Sequence, residues 1–167
     1  MEIAYHTRLL ERLQAGELLP LGGSGSYLIE PSFHGPQEEL LDCLLVGLDK
    51  GFRLILAHPE RVKGLHDKID MLRELVQHGL RLQINGTSLL DNFSSEASRA
   101  ARRFWDEGCC HFIASDAHGI DRRCPFTNQH WQQLLAGTTT SRMLAETNRN
   151  LAALFSSTAQ EMMQNSH

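Results

Sequence analysis

Four polar residues stand where apolar runs end, and their types could hold metal ions. "FIASDAH" places Asp116 and His118 two positions apart after a short apolar run, "YLIE" ends on Glu30, and "RLILAH" ends on His58. Imidazole plus carboxylate is the donor set of Zn, Mn or Fe rather than of Cu(I) or an iron–sulfur cluster. On an extended segment the side-chain period is two, so Asp116 and His118 would project to one side with small Ala117 turned away. That arrangement delivers two ligands to one centre, or one to each of two neighbouring centres. Taken singly, each of these residues reads equally well as hydrogen-bonded scaffolding. Arg61, three residues after His58, and Arg123, five after His118, carry planar paired donors that suit a dianionic phosphate. The plain alternative is two solvated loop arginines.

The elements that must position these groups alternate in type. Strand-like runs occur at Glu2–Tyr5, Tyr27–Glu30, Arg53–His58, Arg81–Asn85 and His111–Ser115. Helical spacing separates them at Thr7–Gln14, Gln37–Lys50, Asp67–His78 and Ser94–Glu107, the last opened by a Ser94/Ser95 cap signal. Gly51, Gly79 and Gly108 follow helical runs as C-caps do. The order predicts an α/β fold with parallel strands, whose carboxyl ends gather on one face where sites are built. Pro59 should push His58 into extended geometry and close its strand there. Asn85 and Gly86 read as a turn after their strand, with a site contact as the alternative. "GGSGS" at Gly22–Ser26 reads as a flexible loop. Ser141–Phe155 reads as a further amphipathic helix, and residues 158–167 as a disordered tail. His66, His78, His111 and His130 have surface or helix-cap explanations, and Trp105 and Trp131 are core or groove residues.

Composition sets the outer bounds. With 167 residues, 41% of them hydrophobic, the chain can bury one real core. A net charge of −4 leaves no basic footprint for nucleic acid. No apolar run is long enough to span a membrane, and the first residues lack a signal peptide's apolar core. Cys43, Cys109, Cys110 and Cys124 show no CxxC spacing, which implies reduced, core-filling thiols in a cytoplasmic protein. Six positions after these cysteines stand Asp49, Ser115, Asp116 and His130, so a Cys-x5-Arg phosphatase is excluded. HExxH and GxSxG motifs are also absent from the sequence.

"AHPER", "LQINGTSLL" and "FIASDAH" followed by an arginine resemble the metal-dependent tyrosine-protein phosphatases of bacterial capsular and exopolysaccharide systems, within the polymerase and histidinol phosphatase (PHP) superfamily. The opening thirty residues resemble the middle region of those proteins, and the likeness runs on to "AETNRNLAALF". It implies a distorted (β/α)7 barrel around a cluster of divalent metals, commonly manganese, with Fe or Zn as alternatives. By the same likeness Glu2 matches a carboxylate that bridges metals. Glu30, His58, Asp116 and His118 match ligands, and Arg61 and Arg123 match arginines that hold the substrate phosphate. The implied reaction is phosphomonoester hydrolysis on a phosphotyrosine protein, namely a bacterial tyrosine kinase that regulates capsule synthesis.

The family opens with a His-x-His strand, and none precedes Met1. Neither His6 nor His34 stands in such a pair. The expectation is therefore an incomplete PHP barrel over residues 1–157, lacking its first strand, with unpaired edges and an open core. Metal-dependent turnover is then expected of a longer chain. Two other readings stay open: another PHP phosphoesterase, acting on a small phosphate or a nucleic-acid end, and an inactive remnant that binds metal or a partner. Oligomer formation is compatible with each.

Overall fold

The computed structural model describes residues 2–35, 37–90, 95–119, 127–135, 145–150 and 152. Five strands, β1 (Ile3–Ala4), β2 (Ser26–Glu30), β3 (Arg53–Ala57), β4 (Arg81–Asn85) and β5 (Phe112–Ala114), lie side by side in chain order. Helices α1 (Leu9–Gln14), α2 (Gln37–Asp49), α3 (Lys63–His66), α4 (Ile69–Gln77), α5 (Gly86–Leu89) and α6 (Ser95–Asp106) fill the crossovers, and α7 (Asn128–Leu135) follows β5. Every neighbouring pair is parallel, so the carboxyl ends of all five strands share one rim. β1 is short and pairs only with the end of β2, Ile3 opposite Ile29 and Ala4 opposite Glu30. That register carries Glu2 to the same rim.

All five expected strands form, most of them shortened by a residue or two. Helices α3 and α5, four residues each, were not anticipated, since a single turn is too short to show a period. α7 was missed as well. Asn85–Gly86 is not a free turn: α5 starts at Gly86, with Asn85 extended ahead of it. Residues 145–150 and 152 are helical, inside the expected terminal helix. The rest of that span, Ser94, Cys124 and the 158–167 tail lie outside the described residues.

The expected glycine caps have a shared geometry. Gly51, Gly79 and Gly108 adopt φ of 84°, 108° and 71°, a region costly to a side chain. Each lets the next amide fold back on the helix: Phe52 to Gly47, Leu80 to Leu75, and Cys109 to Phe104, at 2.8–3.1 Å. The chain then enters a strand within two residues at Gly51 and Gly79 and within four at Gly108. Gly47 serves differently, because a Cβ there would stand 2.8 Å from Leu54 Cδ1; its absence lets α2 lie close on β3.

Both faces of the central strands are buried. Leu54, Leu56, Leu82 and Ile84 join the helix-side core with Ile29, Leu44, Leu72, Leu80 and Phe104. The alternate positions Ile55, Ala57, Gln83 and Asn85 are buried as well and point to the opposite face. This is why β3 and β4 read as continuous rather than alternating apolar runs. Among the described residues, Leu9, Leu40, Leu65 and Ile69 extend the helix-side core, each at most 2% exposed. "GGSGS" is ordered in part: Ser24 is buried and its Oγ accepts the Ser26 amide at 3.1 Å. Cys43, Cys109 and Cys110 are unpaired thiols, the last two buried.

Candidate metal centre

The rim gathers Glu2, Glu30, His58, Asp116 and His118. Two triples form around a shared member, Glu2–Glu30–His58 and Glu2–Asp116–His118, with the potential ligand atoms of each lying within 4.8 Å of one another. His58 Nε2 stands 3.6 Å from Glu30 Oε1 and 3.8 Å from Glu2 Oε1. Those separations are too long for good hydrogen bonds. His58 is 0% exposed, and neither ring nitrogen has a hydrogen-bond partner. Leaving a buried polar atom unsatisfied costs about 1–3 kcal/mol. An orphaned buried imidazole facing two carboxylates, with oxygen donors close by, is a donor set that fits a divalent cation. The facing His58 side chain, with His118 and Arg61 beyond it, holds the Glu2 carboxyl below the usual carboxylate range despite partial burial.

The backbone reaches this arrangement in a way that sequence periodicity did not anticipate. His58 was expected to be extended before Pro59. Instead β3 stops at Ala57 and His58 takes φ 31°, ψ 52°, while its amide still bonds Gln83 O at 2.7 Å. Asp116 and His118 do not lie on a strand either. β5 ends at Ala114, and Asp116 has φ 51°. A turn rather than a pleat brings His118 back, its Nδ1 donating to the Asp116 carbonyl at 2.8 Å. His58 and Asp116 are the two non-glycine residues with positive φ among those described. Such conformations cost roughly 1–3 kcal/mol and persist where the surroundings over-determine them.

Arg61 lies on the single turn of 3₁₀ helix after His58, and its Nη1 donates to Asp116 Oδ2 at 2.7 Å. The same oxygen accepts from Asn85 Nδ2 at 3.0 Å. Asn85 therefore contacts the site, the alternative weighed against a plain turn. Arg123 lies outside the described residues. Glu60 escaped notice because nothing in "HPER" marks which of its residues turns inward. It is 0% exposed, and its Oε1 accepts from the Asn85 amide at 3.0 Å and from Ser88 Oγ at 2.9 Å. Burial pushes this carboxyl up to about 7 against the pull of those bonds. Glu60 thus ties the β3 end to the start of α5. His66, expected at the surface or at a helix cap, is the last residue of α3, half-buried, and donates from Nε2 to Glu60 O at 2.7 Å.

A groove of about 280 Å³ between α3 and α6 is lined by His66 but by none of Glu2, Glu30, His58, Arg61, Asp116 and His118. In it Lys63 stands 3.6 Å from Glu96, and Arg103 Nη1 donates to the His66 carbonyl at 3.3 Å. The described residues contain no helix long and apolar enough to cross a membrane.

Residues 1–152 match the family model for capsular polysaccharide synthesis proteins of the CpsB/CapC type. The chain belongs to the CpsB/CapC family. Tyrosine-protein phosphatase CpsB of Streptococcus agalactiae serotype V is 31% identical over 130 residues, 75% of this chain and 54% of that protein. Tyrosine-protein phosphatase YwqE of Bacillus subtilis is 32% identical over 137 residues, 80% of this chain and 51% of the relative. A solved structure from work on YwqE and Streptococcus pneumoniae CpsB, described as unique metal-dependent tyrosine phosphatases, superposes with a TM-score of 0.73 at 26% identity. It covers 91% of this chain and 63% of the other. The chain spans about half the length of the curated relatives it matches.

Proposed function

We propose that this CpsB/CapC family chain carries the metal and phosphate site of a metal-dependent protein-tyrosine phosphatase of capsule synthesis. The observation that carries the reading is the buried His58 ring, both nitrogens unpartnered, facing Glu2 and Glu30. Glu2, Glu30, His58, Asp116 and His118 would be the ligands, with Glu2 shared between two ions, since it belongs to both triples. When bound, divalent cations supply hydroxide from water near neutral pH and positive charge for the phosphoryl oxygens. Manganese is the proposed metal, with Fe or Zn compatible with the same donors.

The residues of the chain do the rest. Arg61 and Arg123 grip the phosphate with planar donors and neutralise charge that grows in the transition state. Asn85 and Arg61 together hold the Asp116 carboxylate, and Glu60 holds Asn85 in turn. The substrate would be a phosphotyrosine protein, a tyrosine autokinase of polysaccharide export acting in the cytoplasm. The five strands would be consecutive members of a distorted (β/α)7 barrel within one domain over residues 1–157. Support for a singly wound barrel is that strand order equals chain order, without the reversal of a doubly wound sheet.

The test is calorimetric titration with Mn²⁺ together with p-nitrophenyl phosphate hydrolysis, in wild type, His58→Ala and Arg61→Ala. The expected result is metal binding that His58→Ala weakens by on the order of a hundredfold or more, and that Arg61→Ala, which removes one of the two donors to Asp116 Oδ2, weakens far less. Where turnover occurs, Arg61→Ala should lower it about a hundredfold. Metal binding that is absent, or indifferent to His58, would end the proposal.

A further inference from the structure

Phe33 has no part in the core and no part in the proposed ligand set. It follows Glu30 by three residues in the loop between β2 and α2, and it is 44% exposed. Of the exposed large hydrophobic residues among those described (Leu19, Phe33, Val46 and Met71) it is the aromatic one. Its ring lies nearly parallel to that of His58, centroids 6.0 Å apart and planes 14° from coplanar. The Arg61 guanidinium carbon stands 5.1 Å from its centroid. An exposed apolar ring thus borders both the imidazole at the centre and the cation proposed to hold phosphate.

The loop that carries it is tied down. Gln37, buried at the start of α2, donates from Nε2 to Ser32 O at 3.0 Å and to Gly35 O at 3.2 Å, closing around Phe33 from both sides. Pro31 before it is buried. Gly64 on α3 makes room for the Gln37 side chain, since a Cβ there would come within 2.8 Å of Gln37 Cγ. Gln37 therefore fixes the backbone that presents the ring, while the ring itself rests beside His58 and Arg61. A preorganised apolar ring costs less to use in binding than a mobile one.

Resting on the phosphatase reading, we propose that Phe33 is a specificity-determining residue that packs against the aromatic ring of an aryl phosphate while Arg61 holds its phosphoryl group. An alkyl phosphate would meet the same charges and leave Phe33 bare. Ring against ring favours the aryl ligand by about tenfold in affinity.

The experiment measures binding of phenylphosphonate and methylphosphonate, two non-hydrolysable dianions, to the chain with Mn²⁺ present. Wild type, Phe33→Ala, Phe33→Leu and Phe33→Tyr are compared. The expected result is an aryl preference of about tenfold in wild type, kept by Phe33→Tyr, reduced by Phe33→Leu and lost in Phe33→Ala, with methylphosphonate affinity little changed. The leucine variant keeps apolar volume, so a folding defect in the alanine variant would not mask the outcome. An equal affinity for both ligands in wild type, or a preference that survives Phe33→Ala and Phe33→Leu, overturns the role of Phe33 and leaves the phosphate site standing. Binding of neither ligand overturns the phosphatase reading and this inference with it.

Discussion

Two histidines sit at opposite ends of the same sheet and have opposite surroundings. His58 follows β3 at the carboxyl rim, fully buried, in a left-handed conformation, with neither ring nitrogen bonded. His111 precedes β5 at the other end, half-buried, with Nδ1 accepting the Leu82 amide at 3.1 Å. Its own amide bonds Leu82 O at 3.0 Å, and its carbonyl accepts from Asn150 Nδ2 at 2.8 Å. Burial, reinforced by Arg81, lowers the His111 ring to about 4, so it stays neutral. One ring is a satisfied joint between strands; the other is left unsatisfied among carboxylates. A buried histidine is thus informative only once its nitrogens are accounted for.

The sharpest way to break that contrast is to delete each ring in turn. His58→Ala should weaken a Mn²⁺ titration by on the order of a hundredfold or more, whereas His111→Ala should leave the titration unchanged and lower the melting temperature. Equal effects on metal binding would mean that the rim is not special. Next in size is Glu60→Ala, which strips the acceptor from the Asn85 amide and from Ser88. It should cost about 2 kcal/mol or more in urea unfolding, with Glu60→Gln costing less because one carbonyl oxygen remains.

The third prediction uses pH. The folded His111 ring titrates near 4, against 6.5 for an ordinary histidine. Between those values the unfolded chain binds more protons than the folded one. The contribution of His111 is therefore complete above pH 6.5, declines as pH falls, and is gone below about 4. His111→Gln should flatten this slope by on the order of 2 kcal/mol between pH 7 and pH 4. An unaltered slope would show that the ring is not held neutral. Smallest is Gly79→Ala, at a φ of 108° with open space around it. It should cost about 1 kcal/mol through backbone strain alone and leave metal binding untouched.

Much of this was legible in the residues. Short apolar runs, glycines after helical stretches and polar residues at run ends located all five strands and the loops that follow them. Glu60, Ser88 and Phe33 were not legible. Glu60 stands in a single helical turn and Phe33 in a loop, where no periodicity tells an inward side chain from an outward one. Ser88 looked like any small polar residue until a carboxylate from another strand end was seen to reach it. The His58 and Asp116 conformations also ran against local rules, the pre-proline preference and the strand period.

The sequence alone determined the order of the five strands and of the longer helices between them, and the chemical types at the strand ends, because hydrophobic period and backbone preference act over a few residues. It determined the family as well, through motifs spread along the chain. Only the tertiary structure decided that Glu2, Glu30, His58, Asp116 and His118 meet at one rim, that two strained residues turn their side chains into it, and that Phe33 borders it. Those outcomes depend on parallel register and on packing between segments far apart in the chain. Such long-range energies are large enough to hold a residue in a conformation that its neighbours in sequence disfavour.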